Sequence, residues 1–206
     1  MLFTINADNP DSRKISQIVE ILKNGGIIAY PTDTSYGIGC DINNKKAIEK
    51  VYQIMQLPKS KNLSFLCQNL SNLGEYAVVS NFAYKTIKRL IPGAYTFILD
   101  AAKTVPEALL SKRKQVGIRV PNNNICQAII EELGSPIINT TAKDKDGNYF
   151  LDGQEIYEKM GKLIDAVIDC GVIENQGVST IIDFSDDEIK LVRKGLGDYS
   201  WVVEQE

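Results

Sequence analysis

Apolar positions follow two rhythms along this 206-residue chain, and the switching between them lays out the elements. In "NPDSRKISQIVEILKNGG" the residues Ile15, Ile18, Val19 and Leu22 recur at i, i+3, i+4 and i+7, which gathers them on one helical face. Asn9 predicts the cap, Pro10 the first helical position and Gly25 the end. Leu2 to Ile5 alternates like a short strand, and "GIIAYP" and "YGIGCDI" predict two more. Asn43 or Asn44 then caps a helix in "KKAIEKVYQIMQ" that stops before Pro58. "LSFLC", "AYTFILDA", "VGIRV" and "SPIINTT" read as strands, with helices in "NFAYKTIKRLI", ended by Pro92-Gly93, and "NICQAIIEEL", closed by Gly134, and a helical turn in "PEALL". The last third adds a helix in "DGQEIYEKMGKL" and strands in "DAVIDC", "STIIDF" and "IKLVRKG". This order predicts one α/β domain over residues 1–206, a twisted sheet of mixed parallel and antiparallel strands flanked by helices.

Composition narrows the chemistry. The chain contains no histidine, which removes Ser-His-Asp and Cys-His catalysis and histidine metal clusters together. Any reaction must run on Lys, Arg, Asp, Glu, hydroxyls, backbone amides or a borrowed metal, and no resident metal site is expected. Four cysteines, Cys40, Cys67, Cys126 and Cys170, lie far apart and mostly in apolar runs, as reduced core thiols do. "MLFTINADNPDSRK" has no basic start followed by an apolar core, and no apolar run approaches membrane-spanning length, so the expected location is cytoplasmic. The net charge of −3 is unevenly spread, with 13 Lys and Arg against 4 Asp and Glu between Ile42 and Arg119. Such a basic middle is either an anion-attracting field or a set of ordinary exposed helix faces.

Five stretches carry polar residues where chemistry could sit. "YPTDTSYGIG" delivers Thr32, Asp33 and Thr34 to a strand end, with Gly37 and Gly39 allowing close backbone approach, as a ligand turn or a purely structural one. It is no dinucleotide fingerprint, because the third glycine is absent and a strand follows where a helix should begin. In "LPKSKNLSF" the alternating Lys59 and Lys61 suit phosphate oxygens or simply solvate a loop. Arg119 in "VGIRVP" sits in an apolar strand and needs a partner, either a ligand anion or an internal carboxylate. "NTTAKDKDG" runs from a strand carrying Thr141 into a polar loop with the composition of a lid. "STIIDF" and "LVRKG" place Ser179 and Thr180 before one strand and Arg193 at the end of the next.

In this order, the motifs "GGIIAYPTDTSYGIGCD", "IPGAYTFIL", "VGIRVP", "PIINTTA" and "STIIDF…LVRKGLGD" closely resemble the YrdC/YciO family, from about Gln17 to Asp198. That family includes the threonylcarbamoyl-AMP synthases of tRNA modification, and "QLPKSKNLSF" is similar to its YciO branch. The resemblance implies an open, positively charged cavity over the sheet and nucleotidyltransferase chemistry on ATP with Mg2+, L-threonine and bicarbonate. It implies that Thr34 and Ser179 contact the amino acid and that Arg119 holds its carboxylate. Lys59 and Lys61 would meet the triphosphate, Thr141 would lie near the nucleotide and Arg193 would flank it. Partner proteins of tRNA threonylcarbamoylation are implied as well, and the alternative is a double-stranded RNA or tRNA-binding module or a catalytically reduced nucleotide binder. The chain departs from the family pattern where Met55 and Leu57 replace a lysine and an arginine, Asn62 a proline, and Thr141-Ala142-Lys143 a Ser-Ala-Asn run. Lys143 is the candidate to restore one lost charge.

Overall fold

The alternating runs become eleven strands of one mixed sheet in a computed structural model, which describes residues 1–58, 60–105, 109–110, 113–174, 176–185 and 188–203. In chain order the elements are β1 (Leu2–Thr4), α1 (Ser12–Lys23), β2 (Ile28–Tyr30), β3 (Gly37–Asp41), α2 (Lys45–Ile54) and β4 (Ser64–Leu66). Then follow α3 (Leu70–Tyr76), β5 (Ala77–Val78), α4 (Asn81–Leu90), β6 (Tyr95–Ala101), β7 (Gln115–Arg119) and α5 (Asn124–Leu133). The chain closes with β8 (Ile137–Thr141), α6 (Gly153–Met160), β9 (Ala166–Asp169), β10 (Thr180–Asp183), β11 (Lys190–Arg193) and α7 (Ser200–Val203). The strand order is β1-β9-β2-β3-β8-β4-β7-β6-β10-β11, with β5 on β6. Four pairs, β1/β9, β2/β9, β4/β7 and β6/β10, are parallel and the rest antiparallel, so the sheet is mixed as the pattern predicts.

Helix starts are set by local side-chain capping, and one differs from its sequence expectation. Asn9 and Pro10 lie outside α1, which Asp11 caps by accepting from the N–H groups of Arg13 and Lys14 at 2.9 and 3.2 Å. Asn6 Oδ1 takes the N–H groups of Asp8 and Asn9, so the chain is still turning there and the helix starts later. Asn44 caps α2 and Asn123 caps α5, while Gly134 closes α5 at φ +74°. The short elements α3, β5 and α7 escape the periodicity, being too brief to show one. The helical turn expected in "PEALL" falls largely at 106–108, outside the described residues.

Strand alternation sorts side chains onto two unlike faces. On one, Ile38, Cys40, Phe65, Phe97, Ile118 and Ile138 pack with apolar residues of α2, α4 and α6. On the other, α1 and α5 cover Ile28, Tyr30, Leu66, Ile137 and Ile168. Farther along that second face the residues become small and polar: Ser64 pairs with Asn139 on one side and Gly117 on the other. Ser64, Gly117, Ile98 and Thr141 stay half-buried, so this part of the sheet is an open floor. Among the described residues no helix is long and apolar enough to cross a membrane.

Candidate functional site

Where β2 ends, the Thr32 hydroxyl organises the turn back into β3. Its Oγ1 donates to the Ser35 carbonyl at 2.7 Å, accepts from the N–H groups of Thr34 and Ser35, and lies 3.2 Å from Thr34 Oγ1. Thr32, Thr34 and Ser35 are buried, and the Thr34 carbonyl accepts from Gly177 N–H at 2.8 Å, which fastens the turn to the segment leading to Ser179. The turn presents Asp33 to Arg119, whose Nη2 donates to Asp33 Oδ1 at 2.5 Å with side chains only 6% and 13% exposed. The internal carboxylate, one of the two partners the sequence allows, is therefore present. It does not satisfy the guanidinium: Arg119 Nε is buried with no hydrogen-bond partner among the described residues. A buried donor left empty is costly.

A second cation stands nearby. Arg193 donates through Nε and Nη2 to the Ser179 carbonyl at 3.0 and 2.8 Å and through Nη2 to Ser179 Oγ at 3.0 Å. Ser179 Oγ is also 2.7 Å from Thr96 Oγ1, so one serine is held from two strands. Burial pushes the Arg193 pKa below its ordinary value; the neighbouring Tyr149 opposes the drop and Arg119 adds to it. Arg119, Arg193 and Tyr149 thus share one electrostatic neighbourhood over the polar floor.

Thr141 ends β8 opposite Gly37, and the strand carries on through Ala142, whose N–H reaches the Tyr36 carbonyl at 2.8 Å. The loop after it is no loose lid. Asp144 Oδ1 accepts from the N–H groups of Asp146 and Asn148, and Lys143 bridges Tyr149, so the "KDKDGNY" stretch folds on itself as a tight hairpin. Lys143 Nζ rests 4.5 Å from the Tyr149 ring centre.

Of the sequence candidates, the structure brings Thr34, Arg119, Ser179 and Arg193 into one linked cluster, with Thr141 at the rim. Lys61 is exposed; its carbonyl accepts from Tyr52 Oη at 2.6 Å, and its ammonium has no ion pair among the described residues. Lys59 lies outside the described residues. Gly37 and Gly39 serve packing rather than ligand approach, since a Cβ at Gly37 would lie 2.4 Å from Asn139 Oδ1 and one at Gly39 2.1 Å from the Ile138 carbonyl. The basic middle divides as well. Lys45, Lys46 and Lys50 on α2 and Lys85, Lys88 and Arg89 on α4 are exposed on helices that cover the opposite face, away from the floor. Thr96 and Tyr149 are not singled out by the sequence pattern. A lone threonine in the apolar run "AYTFIL" was the available signal for the first, whereas the second depends on the hairpin.

The chain is similar along nearly its whole length to known proteins. The family Sua5/YciO/YrdC, described as telomere recombination, matches residues 20–195. YciO of Escherichia coli is 44% identical over 199 residues, which span 95% of this chain and 96% of that protein. Its crystal structure superimposes with a TM-score of 0.91, covering 97% and 98% of the two chains at 42% identity. A threonylcarbamoyl-AMP synthase of Vibrio vulnificus is 27% identical over 184 residues, 88% of this chain and 98% of that one. The structure of P. abyssi Sua5 complexed with L-threonine shares the fold at TM-score 0.88 and 23% identity, over 95% of this chain and 57% of that one.

Proposed function

Because the chain belongs to the Sua5/YciO/YrdC family, we propose that its polar floor binds ATP beside an amino acid and joins them as a threonylcarbamoyl-AMP synthase does. In that reaction the amine of L-threonine takes up carbon dioxide from bicarbonate as a carbamate. A carbamate oxygen then bonds to the α-phosphorus of ATP, the bond to the leaving pyrophosphate breaks, and threonylcarbamoyl-AMP forms. The chemistry calls for positioning and positive charge rather than a protein nucleophile, which agrees with a chain that has no histidine.

The observation that carries this reading is Arg119, buried, paired through Nη2 with Asp33, with its Nε unpartnered among the described residues and its charge felt by Arg193, which holds Ser179. A carboxylate is a fitting acceptor for that donor, with the Thr34 and Ser179 hydroxyls nearby to orient the amino acid. Among the described residues no group of three His, Cys, Asp or Glu converges on a metal seat. Mg2+ accordingly belongs with the nucleotide phosphates in this proposal, where it would neutralise charge on the leaving group.

A second reading, duplex RNA or tRNA held through its backbone, rests on the six exposed cations of α2 and α4. One assay separates the two. Protein is mixed with ATP, magnesium and bicarbonate, and pyrophosphate is measured with and without L-threonine. Threonine-dependent release is the expected result. Its absence, together with retention of duplex RNA that weakens steeply with salt, would overturn the synthase reading in favour of the RNA one.

A further inference from the structure

Among the described residues the loop before β4 offers one cation, Lys61. Met55 and Leu57 are half-buried and pack against the hydrophobic core, and Lys61 is exposed with its main chain tied down by Tyr52. Another cation stands on the extension of β8, the strand beside β4. We propose that Lys143 is the phosphate-gripping cation of this site, taking the polyphosphate of a nucleoside triphosphate; the proposal rests on the nucleotide reading above.

Backbone geometry aims the side chain. Ala142 continues the ladder to Tyr36, so Lys143, two residues beyond Thr141, faces the same side as Thr141 and Asn139, above the floor. The bridge to Tyr149 and the Asp144 carboxylate, which takes two N–H groups of the turn, hold the hairpin in one shape. Lys143 therefore springs from a fixed backbone, which lowers the entropy lost when it grips an anion.

Charge argues the same way. Lys159, in the helix that follows, is neutralised by Glu155 at 2.7 Å, whereas no carboxylate pairs with Lys143 among the described residues. Its ammonium rests instead on the Tyr149 ring, a weak hold that a phosphate oxygen can displace. The charge of Arg193 is felt by both Tyr149 and Arg119, and Arg119 keeps a buried Nε without a partner among the described residues. Of Lys143, Arg193 and Arg119, Arg119 alone is paired with a carboxylate among the described residues, that of Asp33. An ammonium with three rotatable donors suits the several oxygens of a polyphosphate, while the planar forks of the arginines suit a carboxylate.

Calorimetric titration of the full chain with sodium triphosphate and with magnesium ATP tests the assignment. Lys143→Ala should weaken both about 10- to 100-fold, the worth of one charge-assisted hydrogen bond, and leave adenosine binding unchanged. Lys143→Arg should restore most of the loss. Lys145→Ala, at an exposed position in the same hairpin, should change nothing. Equal binding by Lys143→Ala and wild type, or an equal loss in Lys145→Ala, would overturn the proposal. Triphosphate binding that depends on Lys143, without threonine-dependent pyrophosphate release, defeats the synthase reading alone. Release with unchanged triphosphate affinity in Lys143→Ala defeats this inference alone. A wild-type chain that binds neither triphosphate nor ATP defeats both.

Discussion

Where β2, β9 and the start of β8 form one face of the sheet, Ile28, Tyr30, Ile137 and Ile168 lie buried under α1 and α5. Farther along the same face, β4, β7 and β6 carry Ser64, Gly117 and Ile98, which stay half-buried, beside the buried hydroxyls of Thr96 and Ser179. Both regions have the same ladder and the same alternation, so hydrogen bonding cannot account for the difference. Side-chain volume and polarity do. A helix gains stability only by removing apolar area from water, and a row of Asn, Ser and Gly offers almost none. The open region instead collects polar groups that the core would reject: two arginines, a carboxylate and a cluster of hydroxyls, each supported from a neighbouring strand.

Adjacent residues on β6 allow the contrast to be broken from either side. Phe97→Ala, on the apolar face, should cost about 3–5 kcal/mol of stability through lost burial and a cavity, read from the midpoint of urea unfolding. Arg119→Ala should cost a similar ~3–5 kcal/mol, because it strands the buried carboxylate of Asp33; adding Asp33→Asn should recover part of it. If Arg119→Ala unfolds like wild type, the pair is not a buried support of the floor.

A smaller effect is expected at high pH. Burial pushes the thiols of Cys40, Cys67 and Cys126 up to about 12 from an ordinary value of 9.0. The folded state favours the protonated thiols, so their contribution is complete below pH 9 and fades as the pH rises toward 12. Urea midpoints at pH 8, 10 and 11 should fall in that order. In the native protein Cys170, which is only half-buried, should be the first thiol to react with an aromatic disulfide reagent.

The smallest change in stability is expected for Thr96→Val, one residue from Phe97 but on the polar face. It should shift unfolding by no more than about 1–2 kcal/mol, yet it removes the hydroxyl beside Ser179 Oγ. Pyrophosphate release, or amino-acid binding followed by calorimetry, should suffer more than folding does. The opposite pattern would mean that the floor is structural only.

Much of this architecture was legible one element at a time. The i, i+3, i+4, i+7 run of α1, the bounds of α5 and the strands "AYTFIL", "VGIRV" and "SPIINTT" follow from periodicities that local sterics impose. The start of α1 did not, because Asn6 takes the amides of Asp8 and Asn9 in a turn that delays the helix until Asp11 caps it. For the site, Arg119 announced itself as a cation in an apolar strand, and Ser179 and Arg193 as polar residues at strand ends. Their partners were hidden: Asp33 is 86 residues from Arg119, and Thr96 is 83 from Ser179.

By itself, the sequence determined the kinds of elements, the absence of histidine chemistry and the few polar residues that must find partners. Periodicity, propensity and composition act within a few residues and need no fold. Only the tertiary structure decided that β9 crosses back to lie between β1 and β2, that the cations of α2 and α4 point away from the floor, and that Lys143 meets the Tyr149 ring. Strand order and register choose which distant residues share a face, and no local pattern carries that information.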